Sequence, residues 1–292
     1  MAQLREIKKR IKAVGNIQRI TKTMQMIATA KFQASVRRAQ GTKPYTTKLA
    51  EIVGELASAV GDEVDHPLLG AGRQKTGREL LLVLSSNRGL CGAYNANILR
   101  TSMHYLRDHT DVTHDLEVVG KKGIAFFRFA GMEPKRAHTQ FTDKPAYEDV
   151  EAVASSYIDQ YVAGEYDAVR VAYMQFISNA RQVPMIEQLL PLQPPTSESG
   201  ESAGGTRAVY EFSPDPAELL AELLPMSVKS RLFQWFNDAV VSEQISRMVA
   251  MKAATDNAGK LSRSLKRGFN RARQAQITTE LSEIIGGAAA LS

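Results

Sequence analysis

The sequence has a single cysteine among its 292 residues, Cys91, which excludes an intrachain disulfide and any zinc site built on cysteine. A lone free cysteine is expected as a small buried side chain. Histidine is scarce too. His66, His104, His109, His114 and His138 show no metal-ligand spacing, and the five-residue steps from 104 to 109 to 114 do not share a helix face well. Long apolar runs are missing. Nothing approaches the eighteen or so consecutive apolar residues of a membrane-spanning helix, so membrane association must go through partners or charge. With 43% hydrophobic and 23% charged residues the composition is that of an ordinary soluble protein, long enough for one large domain or two modest ones.

Catalytic and nucleotide motifs are also lacking. Gly70–Gly77 reads GAGRQKTG and its Lys75–Thr76 hints at a phosphate loop, but Gln74 stands where that loop needs glycine. Gly89–Gly92 (GLCG) follows a strand and precedes a helix without the GxGxxG form, which makes it a tight structural turn. No Ser/His/Asp constellation or carboxylate pair can be inferred. No catalytic residue, cofactor or metal is expected.

Acidic residues are nearly absent from the chain ends. Residues 1–40 hold ten Lys/Arg against one acid, and residues 244–292 hold eight against three. The overall charge of +6 therefore leaves 41–243 acidic, with nineteen Lys/Arg against twenty-seven acids. Basic ends on an acidic body point to a partner at the ends: nucleic acid, a membrane surface or an acidic protein. A solvated basic face is the plainer alternative, and charge alone does not choose. A basic, acid-poor start also describes a mitochondrial transit peptide. The same pattern runs on to about residue 60, which favours mature structure and a bacterial-type start.

Three regions follow from periodicity. In residues 1–60, Leu4, Ile7, Ile11, Val14, Ile17, Ile20, Met24 and Ile27 recur at steps of three and four, and Leu49, Ile52, Leu56 and Val60 resume the stripe. Gly15 and Pro44 interrupt it. Proline in a helix interior costs about 3 kcal/mol, so a kink or break is expected near 41–44. Residues 76–212 alternate short strands (Leu80–Ser85, Asp115–Gly120, Ala168–Gln175, Pro184–Leu189 and an edge strand Arg207–Phe212) with helices at 93–108, 121–131 and 148–163. That alternation predicts an α/β domain with a mainly parallel sheet, with 194–206 as a polar linker or loop. Residues 213–292 open on Asp215, Pro216 and Glu218, a capping box with proline at the first helical position. Apolar residues then run from Leu219 to Phe269, with a kink expected at Pro225 and no proline beyond it. Some 70 helical residues would make a rod of roughly 100 Å, too long to bury its stripe alone.

The fold expected is therefore mixed: a long antiparallel coiled coil of the N- and C-terminal helices, with a Rossmann-like α/β domain inserted between them. Small residues Ala250, Ala253, Ala254, Ala258 and Gly259 would let the helices approach closely. The steps 14, 17 and 20 crowd three-residue spacings, which predicts an irregular supercoil.

Several segments resemble one family. Ile277–Ala288 (ITTELSEIIGGA) resembles the C-terminal signature of F-type ATP synthase gamma subunits, and Arg247–Gly259 (RMVAMKAATDNAG) resembles the helix preceding it. Ile20–Met24 (ITKTM), Leu84–Gly92 (LSSNRGLCG) and Gln182–Leu192 (QVPMIEQLLPL) are similar to its N-terminal helix, first strand and turn, and last strand region. The matches span nearly the whole chain in order. The resemblance implies a non-catalytic rotor shaft, peripheral on the cytoplasmic side of a bacterial plasma membrane. Its implied partners are three alpha and three beta subunits, epsilon and the membrane ring of c subunits, with no nucleic acid. It also implies that Arg247, Gln274, Thr278 and Glu280 are polar contacts with the catalytic ring. Met24 would face an acidic loop of beta, with Lys22 and Arg19 nearby, and Tyr210 and Glu211 would lie low, near the rotor ring. Ser213 stands where some members carry an acid before Pro-Asp-Pro, a departure at that foot. The dithiol switch of plastid relatives needs two cysteines, and this chain has only Cys91.

Overall fold

The structure is a computed structural model describing residues 2–60, 66–70, 75–192 and 216–291. The linker 194–206, the edge strand 207–212, Tyr210, Glu211, Ser213, the Asp215 cap and residues 71–74 of the glycine-rich stretch lie outside the described residues. Two compact units emerge, one of Met1–Ala30 with Arg247–Ser292 and one of Lys31–Ser246.

The larger unit is built on a five-stranded sheet. Strands β1 (Arg78–Leu84), β2 (Thr113–Val119), β3 (Arg136–His138), β4 (Ala168–Phe176) and β5 (Gln182–Leu190) are ordered β3-β2-β1-β4-β5. All neighbours are parallel except β4 with β5. This is a doubly wound order, as the strand–helix alternation predicts. Three crossover helices are α2 (Tyr94–Asp108), α3 (Lys121–Phe129) and α4 (Tyr147–Val162). The three-residue β3 was not foreseen, because a strand so short carries no readable period.

Strand β1 explains the layering. Leu80, Leu82 and Leu84 point into one core with α4, while Leu81 and Val83 point into the other with α2 and α3. A central parallel strand buried on both faces reads as a continuous apolar run, which LLLVL is. The first core also takes in Leu49, Val53 and Leu56 of the N-terminal helix α1 (Ala2–Val60) and Leu220, Leu224, Val228, Leu232 and Trp235 of the C-terminal helix α5 (Pro216–Leu291). Each leucine buried this way contributes roughly 1.5–3 kcal/mol. Cys91 is 2% exposed in the second core, as expected for an unpaired thiol.

Both long helices run through their prolines, so neither Pro44 nor Pro225 breaks its helix. Pro44 lies on the exposed side of α1, where Gln40 also faces solvent, so water can reach the carbonyl left without a donor. Ala39 and Leu49 on the opposite face are buried, and this packing outweighs the local cost. Among the described residues no helix is long and apolar enough to cross a membrane.

Gly120, between β2 and α3, has φ +95, and a Cβ there would lie 2.3 Å from the carbonyl oxygen of Ser85. Gly120→Ala should lower stability by roughly 2–4 kcal/mol in urea unfolding. Gly131 has φ +77 but open space around it, and its alanine variant should lose only about 1 kcal/mol. Asp238 of α5 gives a second expectation. Burial pushes its carboxyl up to about 6, against the pull of the Gln234 hydrogen bond and the Lys43 charge. A carboxyl raised in the folded state favours folding while protonated, so this contribution is present at pH 4 and lost as pH rises through 6. Asp238→Asn should match the parent near pH 4 and exceed it at pH 8 by about 1–2 kcal/mol, read from unfolding midpoints across that range.

Candidate functional site

The smaller unit pairs the first thirty residues of α1 with α5 from Arg247 onward. Its seam follows a strict alternation of three and four. On α1 the sheltered positions are Leu4, Ile7, Ile11, Val14, Gln18, Thr21, Gln25 and Ala28. On α5 they are Met248, Met251, Thr255, Ala258, Ser262, Leu265, Phe269, Ala272 and Gln276. The Thr255 hydroxyl donates to Thr21 Oγ1 at 2.9 Å. A Cβ on Gly259 would lie 3.1 Å from Gln18 Nε2. Leu4 and Ile7 meet Gly268, Arg271 and Ala272 around a groove of about 800 Å³. Rising numbers on one helix match falling numbers on the other, so the pair is antiparallel.

This seam differs from the apolar stripe in the sequence. After Val14 the heptad passes to Gln18, Thr21 and Gln25, and the apolar residues leave it. Ile17, Ile20, Met24 and Ile27 are 52%, 58%, 37% and 51% exposed. The crowded spacing 14–17–20 was expected to make the supercoil irregular. In the structure it marks the point where one regular seam and a second, uncovered apolar face diverge. A sealed interface of Gln18, Thr21 and Gln25 forgoes apolar burial while Ile17 and Ile20 stay in solvent, which is the reverse of what stability alone would select. Of the small residues expected to allow close approach, Ala258 is buried and Ala250, Ala254 and Gly259 are sheltered, but Ala253 points outward.

The expected catalytic-ring contacts fall on this unit but are not brought to one place: Arg247 and Glu280 stand about 50 Å apart along α5 at 1.5 Å per residue, and Tyr210 and Glu211 lie outside the described residues. Met24, Arg19 and Lys22 lie on the exposed side of α1, and Gln274, Thr278 and Glu280 are exposed on α5. Arg247 is half-buried at the unit's edge. Gln274 and Thr278 share a face, with the Thr278 hydroxyl donating to the Gln274 carbonyl at 3.0 Å. Glu280 accepts from Gln276 at 2.8 Å. Near them the tail of α5 exposes Ile277, Leu281, Ile284 and Ile285, from 49% to 68%. Fifteen Lys/Arg and four acids surround these apolar residues within the unit. Sequence reasoning placed Ile17, Ile20 and Ile27 in the buried stripe. Counting polar residues into the heptad from Leu4 would have separated them.

The phosphate-loop hint has a structural resolution. The Thr76 amide and hydroxyl donate to Asp167 Oδ1 at 2.7 and 2.9 Å, and the Gly77 amide donates to Oδ2 at 2.7 Å. Burial would raise the Asp167 carboxyl, but these donors hold it below its usual range. The anion cradled here is the protein's own. In the GLCG turn Leu90 takes φ 64 and Gly92 φ 57, and the Asn87 amide donates to the Phe141 carbonyl at 2.7 Å. The turn is a structural link between loops. Among the described residues no group of three His, Cys, Asp or Glu could hold a metal ion.

A family profile described as ATP synthase matches residues 3–291. The chain is 44% identical over 296 residues to the ATP synthase gamma chain of Rhodopirellula baltica, covering 100% of this chain and 99% of that one. It is 38% identical to the gamma chain of Saccharopolyspora erythraea, covering 100% and 98%. Among solved structures it resembles a chain of the Euglena gracilis mitochondrial ATP synthase OSCP/F1/c-ring, with TM-score 0.66 and 19% identity over 99% of this chain and 95% of that one. A chain of the Tetrahymena thermophila central stalk and c-ring gives TM-score 0.55 and 21% identity over 80% and 99%. These two likenesses show a common fold, and the full-length identity to bacterial gamma chains shows that this chain belongs to the ATP synthase gamma family.

Proposed function

We propose that the chain is the central rotor shaft of an F-type ATP synthase. It acts through the uncovered apolar face of Ile17, Ile20, Met24 and Ile27 together with the polar and apolar tail of α5. The observation that carries this reading is the exposed face itself, on a unit whose own seam passes through Gln18, Thr21 and Gln25 beside it. A basic, partly apolar surface fits an acidic protein ring with apolar lining. A nucleic-acid-binding helix pair would instead favour an unbroken cationic face.

A shaft of two helices has no threefold axis. In a ring of three alpha and three beta subunits each beta meets a different side of it. A partner biases a conformational equilibrium only by its differential interaction with the states. Four side chains exposed by about half gain roughly 1 kcal/mol each when covered, or about 4 together. Near-complete switching between two states needs about 5.5 kcal/mol. Covering this face in one state and freeing it in the other would supply at most about 4 kcal/mol of the required bias, and ionic and polar contacts from Arg19, Lys22, Arg247 and the Gln274–Glu280 face would add to it. Catalysis stays in the ring, and this chain selects which beta subunit opens. The larger unit, with Tyr210 and Glu211, serves as the foot that meets epsilon and the ring of c subunits. The protein is peripheral to the bacterial plasma membrane on its cytoplasmic side. In this reading 1–60 and 213–292 are shaft segments and 76–212 is the foot domain.

Mixing the chain with alpha and beta subunits of its host should give one copy per six-membered ring, seen in native mass, and sustained ATP hydrolysis. Failure to assemble, with binding to DNA at low salt instead, would overturn the reading. Ile20→Glu should leave the unfolding midpoint of the isolated chain within about 0.5 kcal/mol, because the side chain is already in solvent. The same change should lower ATP hydrolysis by the assembled complex. Arg247→Ala and Gln274→Ala should each weaken assembly by about 1 kcal/mol or more, measured by titration of the ring.

A further inference from the structure

We infer that Asp143 is the positioning residue of a collar that stiffens both long helices where they leave the α/β unit. This inference rests on the shaft reading and adds to it the joint through which torque passes.

The apolar grip on α1 thins well before the helix leaves the unit. Leu49, Val53 and Leu56 are in the core, whereas the buried positions between Lys31 and Leu49 are the small Ser35 and Ala39. Leu49 lies eighteen positions beyond Lys31, a length of about 27 Å at 1.5 Å per residue. A helix held only at Leu49 would bend over that length. Other contacts hold it nearer the edge. Thr42 donates to Gln234 Oε1 of α5 at 2.7 Å. Phe32 meets Phe176 of β4 edge-on at 6.2 Å. Lys31 forms an ion pair with Asp143 Oδ2, and Arg38 Nη2 donates to the Asp143 carbonyl at 3.1 Å and to Ser35 Oγ at 3.3 Å. On α5, Gln244 Nε2 donates to Asp143 Oδ1 at 3.3 Å, and the Ser242 hydroxyl donates to the Met174 carbonyl at 3.0 Å. Asp143 therefore reaches both helices at once, with one carboxylate oxygen for each.

Its own support is firm. Two residues earlier, Phe141 is 5% exposed, packs against Phe236 with the rings tilted and their centroids 4.7 Å apart, and has its carbonyl held by Asn87. The loop is thus pinned to the core on one side and offers Asp143 on the other. Lys31 and Asp143 keep over a third of their side-chain surface, so the pair adds little to global stability. Its placement at the last turn inside the unit gives it a mechanical role. Both helices continue past this point into the other unit, and a lateral tie here sets where their free length begins.

The test uses the chain assembled with its alpha and beta subunits, with ATP hydrolysis stalled. A bead is attached to the α/β unit through Phe129→Cys, at a residue 93% exposed, while native Cys91 is buried. The angular spread of the bead reads the stiffness of the joint. Asp143→Ala should broaden it. Asp143→Asn, whose single amide oxygen still accepts from Gln244 while the tie to Lys31 is lost, should give an intermediate spread. Unfolding midpoints of the isolated variants should stay at the parent value. An unchanged spread in both variants overturns the inference and leaves the shaft reading intact. Broadening matched by a fall in the unfolding midpoint also overturns it, since general loosening would then be the cause. If the parent chain does not assemble, the shaft reading falls and the inference falls with it.

Discussion

One heptad seam on α1 organises the molecule. It runs unbroken at steps of three and four from Leu4 to Leu56, through Phe32, Ser35, Ala39, Thr42, Thr46, Leu49 and Val53. In one unit it meets α5 as a coiled-coil seam, and in the other its last turns are part of the core beside β1 and α4. Because the seam is defined by position and not by apolarity, it can cross Gln18, Thr21 and Gln25 without losing register. Polar residues in a coiled-coil seam lower stability and fix register. Here they also leave Ile17, Ile20, Met24 and Ile27 exposed.

The α/β unit solves a different problem. A doubly wound sheet of this order hosts nucleotides in many proteins at the ends of its strands. Here that end is occupied by the chain itself. Asn87 is tied to the Phe141 loop, Phe141 packs on Phe236, and Asp143 grips the helices. At the opposite end of the sheet Thr76 and Gly77, just before β1, hold Asp167, just before β4. Inside the sheet Glu117, 1% exposed, accepts from Tyr157 at 2.8 Å and pairs with His138 at 2.8 Å, linking β2, β3 and α4. The polar groups of the unit are mostly spent on holding its own elements together, as befits a part that carries force.

Much of the fold was legible because it rests on strong local periods. Four strands and three crossover helices fall within a few residues of where alternation and burial put them, and LLLVL announces a central strand. What was not legible depends on tertiary context. Pro44 breaks a helix by local rule, and only its position on the solvent side of α1 explains why it does not here. Strand β3 is too short to carry a pattern. The uncovered face of α1 was hidden because Ile17 and Ile20 look like seam residues until the partner helix shows which side is closed. Asp143 gave no signal, since its partners Lys31 and Gln244 lie about a hundred residues away on either side. The residues proposed to contact the ring rest on resemblance alone, and no spacing rule would single out Gln274 or Glu280 from their neighbours.

The most direct measurement is a structure of the chain assembled with its alpha and beta subunits at a resolution that shows side chains. Ile17, Ile20, Met24 and Ile27 should be covered by ring subunits at one position and contact the other two differently, so that the three beta subunits differ in conformation. Four side chains left in solvent all round, or three beta subunits with equivalent contacts and one conformation, would contradict the shaft reading.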